Sequence, residues 1–177
     1  GVKRKIKVDM AELAVALDEH SFQMRYYLDL ETGEVIMITD EIASRLQEIY
    51  AEIHDQAGAS DVSLEEYLQE LDDHDWQKEM LLDADRVERG YHTRYIRVEP
   101  DNPYSGYNDM EDFIVTVEDA DLYRRLARAI QGRGAFGRFK DLLHRHPDVL
   151  EQWYTFQDEQ HQRRLYNWLA AHDIEPI

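Results

Sequence analysis

The period of the apolar positions changes several times along the chain, and each change marks an element. Met10, Leu13, Ala14 and Leu17 share one helical face behind Asp9-Met10-Ala11-Glu12, which has capping-box spacing, so a short helix is expected over about 10–19. Phe22, Met24, Tyr26 and Leu28 then alternate with Gln23, Arg25, Tyr27 and Asp29, the period of a strand. Glu31-Thr32-Gly33 supplies a turn, and the apolar, β-branched run from Val35 to Thr39 completes a β-hairpin over about 22–39. Asp40 stands where it can cap a helix carrying Ile42, Leu46, Ile49, Tyr50 and Ile53. Gln56 to Asp61 reads as a polar linker. Ser63-Leu64-Glu65-Glu66 is a second capping box, opening an acidic helix with Leu64, Tyr67, Leu68 and Leu71. Trp76, Met80, Leu81 and Ala84 predict another helix, with Gly90 placed as its C-cap. Residues 91–98 alternate once more and read as a third strand, ended by Pro100 and Pro103.

From Tyr104 onward the pattern is helical throughout. Tyr107, Met110, Phe113 and Ile114 form one stripe. Thr116 to Asp119 can cap a second helix with Leu122, Tyr123, Leu126 and Ile130 facing inward. Gly132-Arg133-Gly134 breaks that helix, and Phe136, Phe139, Leu142 and Leu143 restart the period. After Pro147 a last helix runs through Trp153, Tyr154, Phe156, Leu165, Trp168 and Leu169 to about Ala171. The fold class expected is α+β: a small antiparallel sheet (hairpin 22–39 plus a strand at 91–98) against a mainly helical C-terminal half. The length of 177 residues predicts a single domain over 1–177.

Charge adds the next constraint. Lys and Arg number 20 against 38 Asp and Glu, a formal net charge of −18. A surface this acidic repels phosphates, so extensive nucleic-acid binding is not expected. The basic residues are nevertheless segregated. Arg124, Arg125, Arg128, Arg133, Arg138, Lys140 and Arg145 lie in one stretch opposed only by Asp141, and Lys3, Arg4, Lys5 and Lys7 crowd the start. That start is not followed by the apolar core of a secretory signal. No apolar run approaches the roughly 20 residues of a membrane span. With no cysteine and no Asn-x-Ser/Thr acceptor, a cytoplasmic location is expected. The acidity also admits a compositional origin, such as a saline cytoplasm, unrelated to partner choice.

Tyr26-Tyr27-Leu28-Asp29-Leu30-Glu31-Thr32-Gly33-Glu34-Val35 resembles the opening hairpin of the bacterial uncharacterised protein family 0158. A stronger likeness to that family lies in Gly132-Arg133-Gly134-Ala135-Phe136-Gly137-Arg138-Phe139-Lys140-Asp141, followed by Trp153-Tyr154-Thr155-Phe156 and Trp168-Leu169. Gly137 departs from the pattern, where a basic residue is more typical. The acidic helical segment over about 57–90 is poorly matched and reads as family-variable. The resemblance implies a shared fold and carries no activity.

Residues 132–141 are the most distinctive chemistry. Two glycines let backbone N–H groups approach a ligand at a helix start, where Arg133, Gly134, Arg138 and Lys140 can form an anion site. The simpler reading is structural: Gly132 ends one helix, Gly134 permits a tight turn, Phe136 and Phe139 enter the core, and Arg138 and Lys140 are solvated charges. The block lacks P-loop spacing and follows no strand, so no nucleotide cofactor is expected. Nor is a metal: His144 and His146 are two apart and diverge on a helix, His74 lies in an acidic run, and Asp83-Ala84-Asp85 lacks the rest of a calcium loop. The five serines stand outside any nucleophile-elbow motif, and no carboxylate pair is singled out for acid–base work. The sequence therefore favours a non-enzymatic binding or adaptor protein that docks a protein partner through a basic strip on an acidic body. The alternative is an enzyme or sensor holding a small anion at the Gly132–Lys140 turn.

Overall fold

The computed structural model describes residues 2–57, 62–72 and 74–177, with only the backbone of Ala57. Most of the Gln56–Asp61 linker, Ser60, and Asp73 of the acidic run around His74 lie outside the described residues. The chain forms two compact units, one comprising residues up to Pro100 together with Asp173–Ile177, the other Asp101–His172.

The first unit holds β1 (Arg4–Ile6), α1 (Met10–Asp18), β2 (Met24–Asp29), β3 (Val35–Thr39), α2 (Asp40–Ala57), α3 (Leu64–Gln69), α4 (Asp75–Gly90), β4 (Tyr95–Val98) and β5 (Ile174–Pro176). Asp9 caps α1 by accepting from the Glu12 N–H, and Ser63 caps α3 by accepting from that of Glu66. Both follow from the short polar side chains at those positions. The cap of α2 is Thr39 rather than Asp40: its Oγ1 accepts from the Ile42 N–H at 3.2 Å, and Asp40 is already helical. The antiparallel sheet has the order β3-β2-β4, with Tyr26 opposite Met37 on one side and Val98 on the other.

Alternation sends Ile38 and Tyr95 to one face, where they join Ile42, Leu46 and Ile49 of α2, Leu64 and Leu68 of α3, and Leu81, Ala84 and Val87 of α4. Tyr26, Leu28 and Val98 are buried on the other face. There α1 lies against β3 and β4 and buries Leu13, Ala16 and Leu17. Phe22, expected in the strand, precedes β2 and is 97% exposed.

Two glycines of this unit are placed by what a side chain would meet. Gly33 has φ +80°, and a Cβ there would stand 1.9 Å from the Lys7 carbonyl oxygen. Its own carbonyl accepts from the Asp9 N–H at 2.9 Å, tying the hairpin turn to the entry of α1. Gly90 is not the left-handed C-cap expected. It is the last helical residue of α4, and its Cβ would collide with the Tyr95 ring at 2.8 Å. The positive φ falls instead on His92, within a turn over 91–94, so β4 starts at Tyr95 rather than Tyr91.

Asp29, at the end of β2, is 2% exposed. Its Oδ1 accepts from the backbone N–H groups of Glu31 and Thr32 and from Arg94 Nε at 3.0 Å, while Oδ2 accepts from Arg94 Nη2 at 2.9 Å. The parallel pair β1-β5 has no counterpart in the sequence expectations, which left the start unstructured and the end helical. Arg4 aligns with Ile174 and Ile6 with Pro176.

The second unit is helical: α5 (Ser105–Val115), α6 (Ala120–Ala129), α7 (Ala135–His144) and α8 (Pro147–Ala171). Each helix packs on the next, and α8 closes back on α5. Their shared core is aromatic. Trp153 is fully buried, with its ring centroid 4.8 Å from that of Phe139 and 5.4 Å from that of Phe113, both edge-on, and Phe156 joins the group. The Trp153 indole N–H has no hydrogen-bond acceptor among the described residues. Arg164 of α8 makes a two-pronged bond to buried Asp109 of α5 at 3.1 and 3.0 Å, and its Nε lies 2.9 Å from Asp101. Such a planar fork fixes one helix against another in a single geometry. Tyr123, Phe136 and Tyr154, read as core candidates from helical spacing, are exposed on the outside of the unit.

Candidate functional site

The basic stretch resolves into a helix face and a turn. In α6, Leu122 and Leu126 are buried, with Ile130 just beyond the helix end, and Asp119 caps the start through the N–H groups of Asp121 and Leu122. At 100° per residue, Arg124 and Arg128 then project from the opposite side, with Arg125 beside them. All three are exposed. Asp121 lies 3.8 Å from Arg124 and 4.0 Å from Arg125, contacts that solvent screens heavily. Arg128 has no ion pair among the described residues.

Gly132 and Gly134 both adopt φ +76°. The side chain of Arg133, between them, is exposed and makes no ion pair or hydrogen bond among the described residues. Arg138 reaches back from α7. Its Nε donates to the Ala129 carbonyl at 2.9 Å, Nη2 to that of Gln131 at 2.5 Å, and Nη1 to that of Arg133. These carbonyls belong to the end of α6 and the turn after it, where helical partners run out. A Cβ on Gly134 would lie 3.0 Å from Arg138 Nη1, so the guanidinium uses the space the glycine leaves. Lys140 is half-buried, with Nζ 5.9 Å from the centroid of the Phe136 ring.

The turn therefore gathers Arg133, Gly134 and Arg138, while Lys140 associates with Phe136. Arg138 spends donors from all three of its nitrogens on backbone carbonyls and is more than the solvated charge of the structural reading. Arg138→Met should destabilise the chain by about 1 kcal/mol. Arg138→Lys should recover little of the loss, since an ammonium lacks the fork. Urea unfolding of the three proteins measures both effects, and a fully stable lysine variant would contradict this role.

Cavities open elsewhere. In the first unit a polar cleft of about 710 Å³ is lined by Asp29, Thr32, Glu34, Asp83, Arg86 and Arg94. Asp29 pairs with Arg94 and Asp83 with Arg86, so these charges compensate one another. In the second unit an open groove of about 510 Å³ runs over Phe113 and Phe156 beside Asp148, Glu151, Thr155 and Glu159. Neither is lined by Arg133, Gly134, Arg138 or Lys140. Among the described residues no three His, Asp or Glu side chains are grouped to hold a metal ion, and no helix is long and apolar enough to cross a membrane.

Arg124, Arg125 and Arg128 belong to the basic strip read from the sequence but not to the four residues, Arg133, Gly134, Arg138 and Lys140, singled out within it. The signal of these three arginines was present as spacing opposite Leu122, Leu126 and Ile130.

The fold and the site describe an acidic α+β protein with one basic helix face in its helical unit. The chain belongs to the uncharacterised protein family (UPF0158), whose model matches residues 62–177. The matched stretch includes most of the acidic 57–90 segment and begins after the hairpin. A UPF0158 protein of Pseudomonas aeruginosa is 28% identical over 173 residues, covering 98% of this chain and 88% of that protein. No solved structure matches the chain.

Proposed function

We propose that the protein is a binding or adaptor protein of the cytoplasm, docking an acidic segment of a partner protein on the outer face of α6. The observation that carries this reading is the placement of Arg124, Arg125 and Arg128 on one exposed helix face, continued by Arg133. Two of these four have no ion pair among the described residues, in a chain with nearly twice as many acids as bases. Guanidinium groups bind carboxylates through paired hydrogen bonds, and several on one face suit an acidic stretch better than a single charge. The acidic remainder of the body repels the same partner, so only a segment reaching the arginines is held. The Arg138 clamp supports the reading by fixing where α6 ends and how Arg133 continues it.

The test is a pull-down at moderate salt with the wild type beside Arg124→Glu/Arg125→Glu/Arg128→Glu. The wild type should retain an acidic protein that the variant loses by about tenfold or more and that raised salt releases, as rim charges do. Equal recovery by a folded variant would overturn the proposal.

A further inference from the structure

A second basic surface, in the other unit, lies outside that reading. The ladder between β1 and β5 uses the backbone of Arg4 and Ile6: the Arg4 N–H donates to the Asp173 carbonyl at 2.8 Å, and the Ile6 carbonyl accepts from the Ile177 N–H at 3.0 Å. In a parallel ladder successive residues direct their backbone groups to opposite edges, so the N–H and C=O of Lys5 point away from β5. The sheet has two strands, and among the described residues nothing pairs with that edge. Ile6 and Val8 anchor the segment in the core, while Lys3, Arg4, Lys5 and Lys7 are exposed.

None of these four cations has an ion pair among the described residues, although the unit is rich in carboxylates. Five of the unit's seven arginines, all but Arg4 and Arg97, behave differently. Arg25 pairs with Asp40, Arg45 with Glu48, Arg86 with Asp83, Arg89 with Asp85, and Arg94 with Asp29. Three of the five lysines of the chain thus stand in or beside one open-edged strand with no ion pair among the described residues.

Lysine on an edge strand discourages pairing with neutral or basic strands, because its charge would be brought against another backbone without compensation. The same arrangement selects for a strand that brings negative charge. We propose that the free edge of β1 receives an extended acidic segment of a partner protein as a third strand. The Lys5 backbone would supply ladder hydrogen bonds, and the flanking lysines and Arg4 would take up carboxylates on the added strand. A ladder specifies a polypeptide. Nucleic acids and lipid headgroups offer charge but no matching row of amides and carbonyls.

The test is fluorescence anisotropy on the full chain with a labelled short peptide alternating Glu and Val. Three comparisons accompany it: the same peptide N-methylated at alternate residues, a single-stranded oligonucleotide, and phosphatidylserine vesicles. The parent peptide should bind saturably, with amide shifts centred on residues 3–7. Binding should weaken about tenfold or more on N-methylation, which removes ladder donors and keeps the charge, and in Lys3→Glu/Lys5→Glu/Lys7→Glu. Absence of saturable binding, equal binding of the N-methylated peptide, a folded triple variant of unchanged affinity, or tighter binding of the oligonucleotide or vesicles would each overturn the proposal. Should the triple variant fail to fold, the N-methylation comparison on the unaltered protein decides alone.

Discussion

Trp153→Ala should destabilise the protein by about 3–5 kcal/mol, whereas Trp153→Phe should cost only about 1 kcal/mol. The ring is fully buried and packs edge-on against Phe113 and Phe139, so truncation opens a cavity where α5, α7 and α8 meet. Phenylalanine fills most of that volume. It also removes an indole N–H that is buried without an acceptor among the described residues, and the relief offsets part of the lost packing. Urea unfolding followed by far-ultraviolet circular dichroism compares the three chains without relying on Trp fluorescence. Equal losses in both variants would show that the N–H is satisfied in solution or that the cavity does not govern stability.

The second large effect is at Asp29. Asp29→Ala should cost about 3 kcal/mol, because it strands two turn N–H groups and an arginine that the carboxylate organises. Asp29→Asn should cost about half as much, since the amide oxygen still accepts from the turn. Burial works to raise the Asp29 pKa, but the Arg94 hydrogen bonds and the backbone N–H groups of Glu31 and Thr32 outweigh it and hold the carboxyl below its ordinary range. A carboxyl lowered in the folded state contributes its full stabilisation above the unfolded value, about 4, and loses it as the pH falls through the lower folded value. The asparagine side chain resembles the protonated acid. The stability gap between wild type and Asp29→Asn should therefore stay constant from neutral pH down to about 4 and narrow below it. A gap unchanged at pH 3 would show that the charge on Asp29 is not what the site holds.

What the sequence revealed was local. The caps at Asp9 and Ser63, the Gly33 turn and the Gly132–Gly134 break each act within a few residues, and each stands where spacing put it. Of the Thr116–Asp119 segment it is Asp119 that caps α6, while Thr116 ends α5. Phe22, Tyr123 and Phe136 show the limit of periodicity, since an aromatic residue at core spacing can still face solvent when no neighbouring element covers it. Gly90 was misread because its reason is the Tyr95 ring rather than its own backbone conformation. The β1-β5 pair left no local sign: three-residue strands, one of them opening on Arg4 and Lys5, meet across nearly the whole chain. At the candidate site the basic stretch was legible from composition. The work of Arg138 was not, because three carbonyls converge on it only once α6 has ended and α7 has turned back.

Because β5 follows α8, the helical unit is an insertion between β4 and the strand that completes the first unit. During synthesis the α5–α8 segment leaves the ribosome as one uninterrupted stretch and can fold on contacts already in hand. β1 precedes that stretch and has to wait for β5. Once the helical unit has folded, most of the interval between β4 and β5 is no longer flexible chain, so the closing step carries less of the entropy cost of a long flexible loop. The interrupted unit thus starts before the helical unit and is completed after it.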